Sequence, residues 1–273
     1  MPDLLELEVD VEGGRLFVEE AGAGPAVVLI HSCLVDRRQW DDQMRSFPAA
    51  GYRTIRYDIR GFGRSTRPEA SWSPDADLLA ITDALEIDRA ALVGNSCGGG
   101  IAVDFAVGHT ERVWALVPVA AGSDAAGDPD EALRSLWKEM AGLIEAGEVD
   151  AAQDLEREAW TQAGRFPRGD DRIRQLSRDN VAAQTVDGSL ARDIDPPAAG
   201  RLGEVRAQTL VVQAEHDFEV IQRAAAVLEE RIPGASRVVI PGTDHIVNLR
   251  EPEAFDREVL GFLADARPKH ART

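Results

Sequence analysis

Short apolar runs alternate along the chain with longer segments in which apolar residues recur at helical spacing. The runs are brief and rich in Val, Leu and Ile, as expected of strands covered on both faces of a parallel sheet. They predict strands at residues 4–11, 15–20, 26–30, 53–57, 90–94, 115–119, 209–213 and 237–240. The first two are joined through Gly13-Gly14, which favours an antiparallel hairpin.

Helices are predicted between the later strands. Apolar side chains share one face of two such segments: Val220, Ala224, Val227 and Leu228 in the first, and Phe255, Val259, Phe262 and Leu263 in the second. This alternation of strands and helices predicts an α/β fold. We expect an eight-stranded, mostly parallel sheet with helices on both sides.

The alternation is interrupted between residues 122 and 204, where no strand is predicted. Asp128-Pro129 is a good helix start, because Asp can cap a helix and Pro fits its first position. Apolar residues then repeat at helical spacing, at Leu133, Leu136, Trp137, Met140 and Ile144. Further helices are expected near residues 149–163 and 172–183. We interpret residues 122–204 as a helical cap inserted into a core domain of residues 1–121 and 205–273. The alternative interpretation is that this segment is part of the core domain.

The sequence ALVGNSCGGG, at residues 91–100, carries an apolar strand into a helix through Gly94-Asn95-Ser96-Cys97-Gly98. This G-x-S-x-G pattern is typical of a nucleophile elbow. A sharp turn strains the backbone at Ser96 and leaves no room for side chains two residues to either side. It also presents the hydroxyl at a helix N-terminus, where free N–H groups can stabilise an oxyanion. The pattern therefore predicts Ser96 as a nucleophile.

A serine hydroxyl needs a base to lose its proton near neutral pH. Among the histidines, His270 lies in a polar tail and His109 lies at the far end of the helix after the elbow. His31, His216 and His245 follow strand ends. His245 has the best position, in a loop between the last strand and the C-terminal helix.

The base in turn needs an acid to fix its tautomer. Asp217 follows the strand at 209–213, and gives the chain order Ser…Asp…His that such elbows use. Glu215 lies two positions away, and Asp124, after the sixth strand, is an alternative acid. We favour Asp217, and we expect Asp244 to be a solvated loop residue.

These segments resemble the α/β-hydrolase fold serine hydrolases that carry a cap, of the esterase or enol-lactonase-like branch. The resemblance covers nearly the whole chain outside the cap, and includes HSCLVDRRQW, DIRGFGRS, the elbow, the acid loop and the histidine loop. It implies an oxyanion hole formed by the backbone N–H groups of Cys33 and Cys97. It also implies structural roles for His31 and for residues 58–60. Ser32 departs from the glycine that the family often has there, and its hydroxyl can add a hydrogen bond.

Two cysteines do not make a disulfide framework, and no Cys/His spacing suggests zinc, so neither a metal nor a cofactor is expected. If Cys33 and Cys97 both supply oxyanion N–H groups, they must lie near each other. The simpler interpretation is two small side chains lining a pocket; the alternative is a redox-sensitive thiol pair that could block the site. The candidate pocket residues are Ser32, Trp40, Phe62, Trp137, Trp160 and Phe218. Because Trp137 fits the apolar stripe of its helix, we expect packing to be its first role.

The 273 residues carry a formal net charge of -18 and are 44% hydrophobic. This length allows a core domain with an inserted cap, and the acidity disfavours nucleic acid and anionic membranes as partners. The opening MPDLLELEVD lacks the pattern of a signal peptide, and no apolar stretch approaches the roughly 20 residues of a membrane span. We expect a cytoplasmic monomer or homodimer that acts on a small molecule.

The expected reaction is two-step acyl transfer, in which Ser96 attacks a carbonyl, His245 takes its proton, and water then releases the acid. The best substrate hypothesis is a small or medium carboxylic ester or lactone. Carbon–carbon bond hydrolysis of a diketone-type substrate, cofactor-free perhydrolysis and a non-hydrolytic biosynthetic or ligand-binding role are alternatives. Epoxide hydrolases and haloalkane dehalogenases are disfavoured because their elbow carries Asp.

Overall fold

The computed structural model describes residues 4–162 and 165–267. Its strands are β1 (Leu5–Val11), β2 (Gly14–Ala21), β3 (Ala26–Ile30), β4 (Arg53–Tyr57), β5 (Ala90–Asn95), β6 (Val113–Val119), β7 (Gln208–Ala214) and β8 (Ser236–Ile240). They form one eight-stranded sheet in the order β1-β2-β4-β3-β5-β6-β7-β8. Strand β2 is antiparallel to both β1 and β4, and the other neighbours are parallel. The predicted fold class and hairpin are confirmed, with small differences at the strand ends.

The described helices, short 3-10 turns aside, flank this sheet or lie between β6 and β7. They are α1 (Gln43–Ala49), α2 (Pro74–Ala84), α3 (Cys97–Gly108), α4 (Glu131–Glu145), α5 (Val149–Thr161), α6 (Asp170–Asp179), α7 (Glu219–Arg231), α8 (Val247–Arg250) and α9 (Pro252–Ala266). None of those in the described ranges is long and apolar enough to cross a membrane.

The core lies on both faces of the sheet, because successive residues of a strand point to opposite sides. In β3, Ile30 packs in a cluster with Phe105 of α3, whereas Leu29 belongs to a second cluster with Phe255 of α9. Both strand residues are fully buried. This accounts for the continuous apolar runs of the central strands, which have no solvent-facing side.

The segment between β6 and β7 contributes no strand to the sheet in its described part, as the pattern predicted. Helix α4 begins later than predicted: its N-cap is Asp130, whose side chain accepts from the Leu133 N–H. The predicted cap at Asp128 is therefore wrong, because a capping side chain must reach an N–H within the first turn. The third helix is also shorter than predicted, and 181–185 forms a separate 3-10 turn.

Trp137 does not pack in the core, contrary to prediction, and is 48% exposed. Helix α4 buries Leu133, Leu136 and Met140 in a small cluster with side chains of α5. The side of α4 that carries Trp137 is left uncovered by the described elements. The apolar stripe on this helix is therefore wider than the surface that its neighbours cover.

Candidate active site

Ser96 lies in the turn between β5 and α3, with φ 57° and ψ -119°. A Cβ on Gly94 would lie 2.1 Å from the Gly98 carbonyl oxygen, and one on Gly98 would lie 2.4 Å from the Ile30 carbonyl oxygen. No side chain fits at such distances. The two glycines therefore permit the sharp turn that the elbow pattern predicts.

The structure brings Ser96, His245 and Asp217 into one hydrogen-bonded chain. The Ser96 Oγ lies 2.7 Å from His245 Nε2, and His245 Nδ1 lies 2.7 Å from Asp217 Oδ2. The side chains of His245 and Asp217 are only 2% and 1% exposed. With Nδ1 protonated, the imidazole donates to the carboxylate and leaves Nε2 to accept from the serine hydroxyl. This is the arrangement in which a serine can lose its proton.

The alternative acids lie elsewhere. Glu215 is largely exposed and accepts a hydrogen bond from the Gly242 N–H, 2.8 Å away. Asp124 lies in an exposed 3-10 turn after β6. Asp217 has its second oxygen fixed as well, since Oδ1 accepts from the Phe218 N–H at 2.8 Å. Geometry thus singles out Asp217 among the candidate acids.

Asp244 is not a solvated loop residue, contrary to prediction. Its carboxylate is buried and lies 2.7 Å from the guanidinium of Arg250, which is buried too. Burial raises the pKa of Asp244, and the Arg250 guanidinium opposes that rise. Arg250 also donates to the backbone oxygens of Phe166 and Arg168. The pair therefore ties the histidine loop to the segment between α5 and α6.

Two backbone N–H groups beside Ser96 are available to an oxyanion. The first helical hydrogen bond of α3 runs from the Gly100 N–H to the Ser96 carbonyl, so the Cys97 N–H has no acceptor within the helix. After β3, the Leu34 N–H donates to Ser32 Oγ, which is the added hydrogen bond anticipated for that hydroxyl. No hydrogen bond of the described residues uses the Cys33 N–H.

A buried amide network holds the three loops of the site together. Gln39 Oε1 accepts from the Ser32 N–H at 2.9 Å, while its Nε2 donates to the side-chain oxygens of Asn95 at 2.7 Å and Asn248 at 2.8 Å. Asn95 Nδ2 donates to the His245 carbonyl at 3.0 Å. Sequence reasoning missed this network. The available signal was Asn95, a polar residue at the end of a fully buried strand.

His31 and Asp58 have structural positions, as the resemblance implied. His31 Nε2 accepts from the Ile59 N–H at 2.9 Å, and Nδ1 donates to the Ser32 carbonyl at 2.8 Å. Burial lowers the pKa of His31, with the nearby Asp58 carboxylate opposing that shift. Asp58 itself accepts from the backbone and guanidinium of Arg37. Both ring nitrogens of His31 are therefore occupied by the backbone.

The remaining histidines lie away from Ser96. His109 Nε2 is 3.0 Å from Asp75, and His216 lies beside Glu215 at 3.4 Å. His270 lies outside the described residues. His245 is thus the histidine that meets the elbow within the described ranges.

Cys33 and Cys97 form a disulfide, which sequence analysis did not expect. Their Cα atoms are 5.9 Å apart. The two residues come together because β3 and β5 are adjacent parallel strands, and the loops that follow them leave the same edge of the sheet. The expectation that the two cysteines lie near each other is confirmed.

A cavity of about 450 Å³ adjoins the elbow. Its wall includes both cysteines and the apolar side chains of Phe62, Trp72 and Ile101. None of Ser96, His245 and Asp217, all of which are described, belongs to this wall. Of the candidate pocket residues, Phe62 alone lines the cavity.

The other pocket candidates have different surroundings. The Trp160 ring lies 4.2 Å from the His245 ring and 4.7 Å from that of Phe218, between centroids. Ser32 is buried in its own loop. Trp40 is fully buried against Phe255, with ring centroids 5.8 Å apart, so its assignment to a pocket is wrong. The exposed Trp137 does not line this cavity either.

Acidic residues dominate the charged part of the cavity wall. It includes Asp75, Asp104, Glu156 and Asp193, against the arginines Arg60 and Arg192. Arg60 is already held by Asp77, with two contacts of 2.7 Å. Burial, with the carboxylates of Asp193, Asp75 and Asp124 adding to it, raises the pKa of Asp104 to about 7. Sequence reasoning missed Asp104, although it interrupts the apolar run IAVDFAV.

Comparison with known proteins gives consistent results. Residues 25–252 match the family described as alpha/beta hydrolase fold. The chain is 30% identical to a 2-hydroxy-6-oxo-6-phenylhexa-2,4-dienoate hydrolase from Burkholderia cepacia, over 92% of each chain. An N-acyl homoserine lactone degrading enzyme is 27% identical with a TM-score of 0.76, over 94% of this chain and 100% of that one. The enol-lactonase of Burkholderia xenovorans has a TM-score of 0.77 at 24% identity, over 94% and 100%.

Proposed function

The chain belongs to the alpha/beta hydrolase fold family, and we propose that it is a serine hydrolase that cleaves a small or medium carboxylic ester or lactone. The observation that carries this proposal is the continuous hydrogen-bonded chain from Ser96 through His245 to Asp217, with 2.7 Å at each step. Such a chain lets the imidazole take the hydroxyl proton as the oxygen attacks.

The reaction runs in two halves. Ser96 Oγ attacks the carbonyl carbon while His245 Nε2 takes its proton, and the imidazolium is stabilised by Asp217. The same proton then passes to the leaving alcohol, leaving an acyl-enzyme. Water repeats the sequence, with His245 again as the base, and releases the acid.

The backbone N–H groups of Cys33 and Cys97 are the donors that would hold the oxyanion. This assignment is supported by the observation that neither N–H group has a hydrogen-bond acceptor among the described residues. Two such preorganised donors each contribute about 3 kcal/mol to the stability of the transition state. We also propose that residues 122–204 act as a cap, because the Trp160 ring of α5 packs against the His245 ring.

The cavity favours an uncharged substrate. Its wall includes the apolar side chains of Phe62, Trp72 and Ile101, and its charged side chains are partly paired, Arg60 with Asp77 and Asp75 with His109. A neutral ester or lactone would bind to this apolar part. The similarity to a lactone-degrading enzyme points the same way.

A second candidate is hydrolysis of a carbon–carbon bond beside a ketone, by the same three residues. It is favoured by the relative from Burkholderia cepacia, whose name describes a keto acid as the substrate. Parallel assays with a p-nitrophenyl ester and a dienoate keto acid would decide between the two reactions.

The test is turnover of p-nitrophenyl acetate and butyrate, together with labelling by a fluorophosphonate. We expect hydrolysis and stoichiometric labelling of the native protein, and Ser96→Ala to lose the label and at least about 10³-fold in kcat. Asp217→Asn should lower kcat by about 10⁴-fold, because the imidazole tautomer is no longer fixed. Glu215→Gln, two positions away, is the matched control and should keep its rate. Absence of both turnover and labelling in the native protein would refute the proposal.

A further inference from the structure

The Cys33–Cys97 disulfide links the elbow to the loop after β3, and it lies in the cavity wall. Cys97 is bonded to Ser96 in the chain, and Cys33 is the first exposed residue after β3. Both cysteines belong to the cavity wall, whereas Ser96 and its two partners do not. The covalent bridge is therefore the part of the wall that is joined directly to the nucleophile's chain neighbour.

We propose that this cysteine pair is a thiol–disulfide exchange site that controls access from Ser96 to the cavity. As a disulfide it narrows the access from Ser96 to the cavity, so that short acyl groups are favoured at Ser96. As two thiols it opens the cavity to longer acyl groups. The inference rests on the proposed esterase function, and it adds regulation of substrate size to it.

The disulfide can be reduced without displacing the loop after β3 that carries Cys33. A disulfide fixes both sulfur atoms against each other, whereas two thiols can each choose a separate rotamer. The loop after β3 keeps its position through the buried bonds of Gln39 to Ser32, Asn95 and Asn248. Reduction should therefore move two side chains and leave the backbone donors in place.

The pair is accessible to a small redox partner. Cys33 is exposed and Cys97 is half-buried, and both face the cavity. A dithiol reductant transfers two electrons and two protons to the pair, which gives two thiols and the oxidised, cyclic disulfide of the reductant. A low-molecular-weight disulfide reverses the reaction. Reducing compartments hold such pairs as thiols, so oxidation would restrict the enzyme to short acyl groups.

The experiment compares p-nitrophenyl acetate with p-nitrophenyl octanoate, using protein treated with oxidised or reduced dithiothreitol. The chain has only two cysteines, so thiol titration reports this pair alone. We expect two thiols after reduction and none after oxidation. Reduction should raise the octanoate-to-acetate ratio of kcat/KM by about tenfold or more.

Cys33→Ser and Cys97→Ser are the matched controls, since neither can form the bridge. Each should give the ratio of the reduced protein under both treatments, which also excludes a direct effect of the reagent. Having two such variants covers the case in which one fails to fold.

An unchanged octanoate-to-acetate ratio, with fluorophosphonate still labelling Ser96 in both states, would overturn the redox control and leave the hydrolase intact. Two titratable thiols after oxidation would overturn it as well. Failure of labelling and acetate turnover in both states would instead refute the hydrolase itself, and the redox control with it.

Discussion

Gly98 has no side chain, and this lets the turn after β5 lie close to the end of β3 and to the loop that follows it. A Cβ there would lie 2.4 Å from the Ile30 carbonyl oxygen and 2.6 Å from that of His31. These are backbone atoms of β3 and of the loop that follows it, so they cannot rotate aside as a flexible side chain could. The close approach sets the distance between the two backbone N–H donors beside Ser96.

Gly98→Ala should therefore destabilise the protein and lower its esterase activity together. Overpacking of this kind costs about 1–3 kcal/mol or more, and separating the two loops spoils the oxyanion hole. Gly100→Ala is the control in the same helix, because a Cβ there meets nothing within 4 Å. It should be neutral or slightly stabilising, as alanine favours a helix over glycine. Equal free energies of unfolding for the two variants in urea would contradict this account.

The positions of residues could be predicted where strand order brings the partners together. They could not be predicted where burial depends on residues that are neighbours only in the folded chain. His245 and Asp217 follow strand ends on one edge of the sheet, so sequence order and strand position sufficed to bring them to Ser96. Asp244, one position from His245, has the sequence context of an ordinary loop acid. Its burial depends on Arg250, whose guanidinium occupies the space that water would have filled.

Among elements, the strands were predicted better than the helices between β6 and β7, for a physical reason. The central strands are buried on both faces, so nearly every position carries an apolar residue and their ends are sharp. Helix α4 has one buried side only, and Trp137 fits its apolar stripe although no described element covers it. What could not be predicted is how the loops after β3, β5 and β8 are held together, because Gln39 is distant in sequence from both Asn95 and Asn248.

Gln39→Leu tests whether this network positions the site. The variant removes the acceptor of the Ser32 N–H and the donor to Asn95, so the oxyanion loop and the histidine loop lose their common anchor. We expect kcat for p-nitrophenyl acetate to fall about 10–100-fold with KM little changed, since misplacement affects the transition state more than substrate binding. Gln175→Leu, on the exposed side of α6, is the control. A rise in KM with unchanged kcat would assign Gln39 to the substrate pocket instead.

For the whole molecule, hydrophobic patterning predicts the sheet but not the cavity. The cavity wall combines Cys33, Trp72, Asp104 and Arg192, which come from four separate segments. Only the packed fold brings them together, and no periodicity along the chain connects them. For the same reason the proposed class of reaction rests on the elbow and its partners, which the sequence contains, whereas any proposal about the substrate depends on the assembled wall.

The chain has a net charge of -18, and some of its carboxylates lie close together in and around the cavity wall. Asp104 lies in α3 among apolar neighbours, and the carboxylates of Asp193, Asp75 and Asp124 repel its charged form. Its pKa is about 7 in the folded protein, above its ordinary value of 3.8. Between these two values the folded state holds a proton that the unfolded state has released. The contribution of Asp104 to stability is therefore present below about pH 4 and is lost as the pH rises towards 7.

Asp104→Asn removes this titration, and should make the protein more stable than the native chain at pH 8 and nearly equal at pH 4. Because Asp104 is partly exposed, solvent screening reduces the gain, which we expect to be about 1–2 kcal/mol. Urea unfolding of both proteins at pH 4, 6 and 8 measures it, with Asp265→Asn on the exposed surface of α9 as the control. The difference between the Asp104→Asn variant and the native chain should open between pH 4 and 7 and then stay constant. A difference that is independent of pH would mean that Asp104 is already ionised in the folded protein at pH 4.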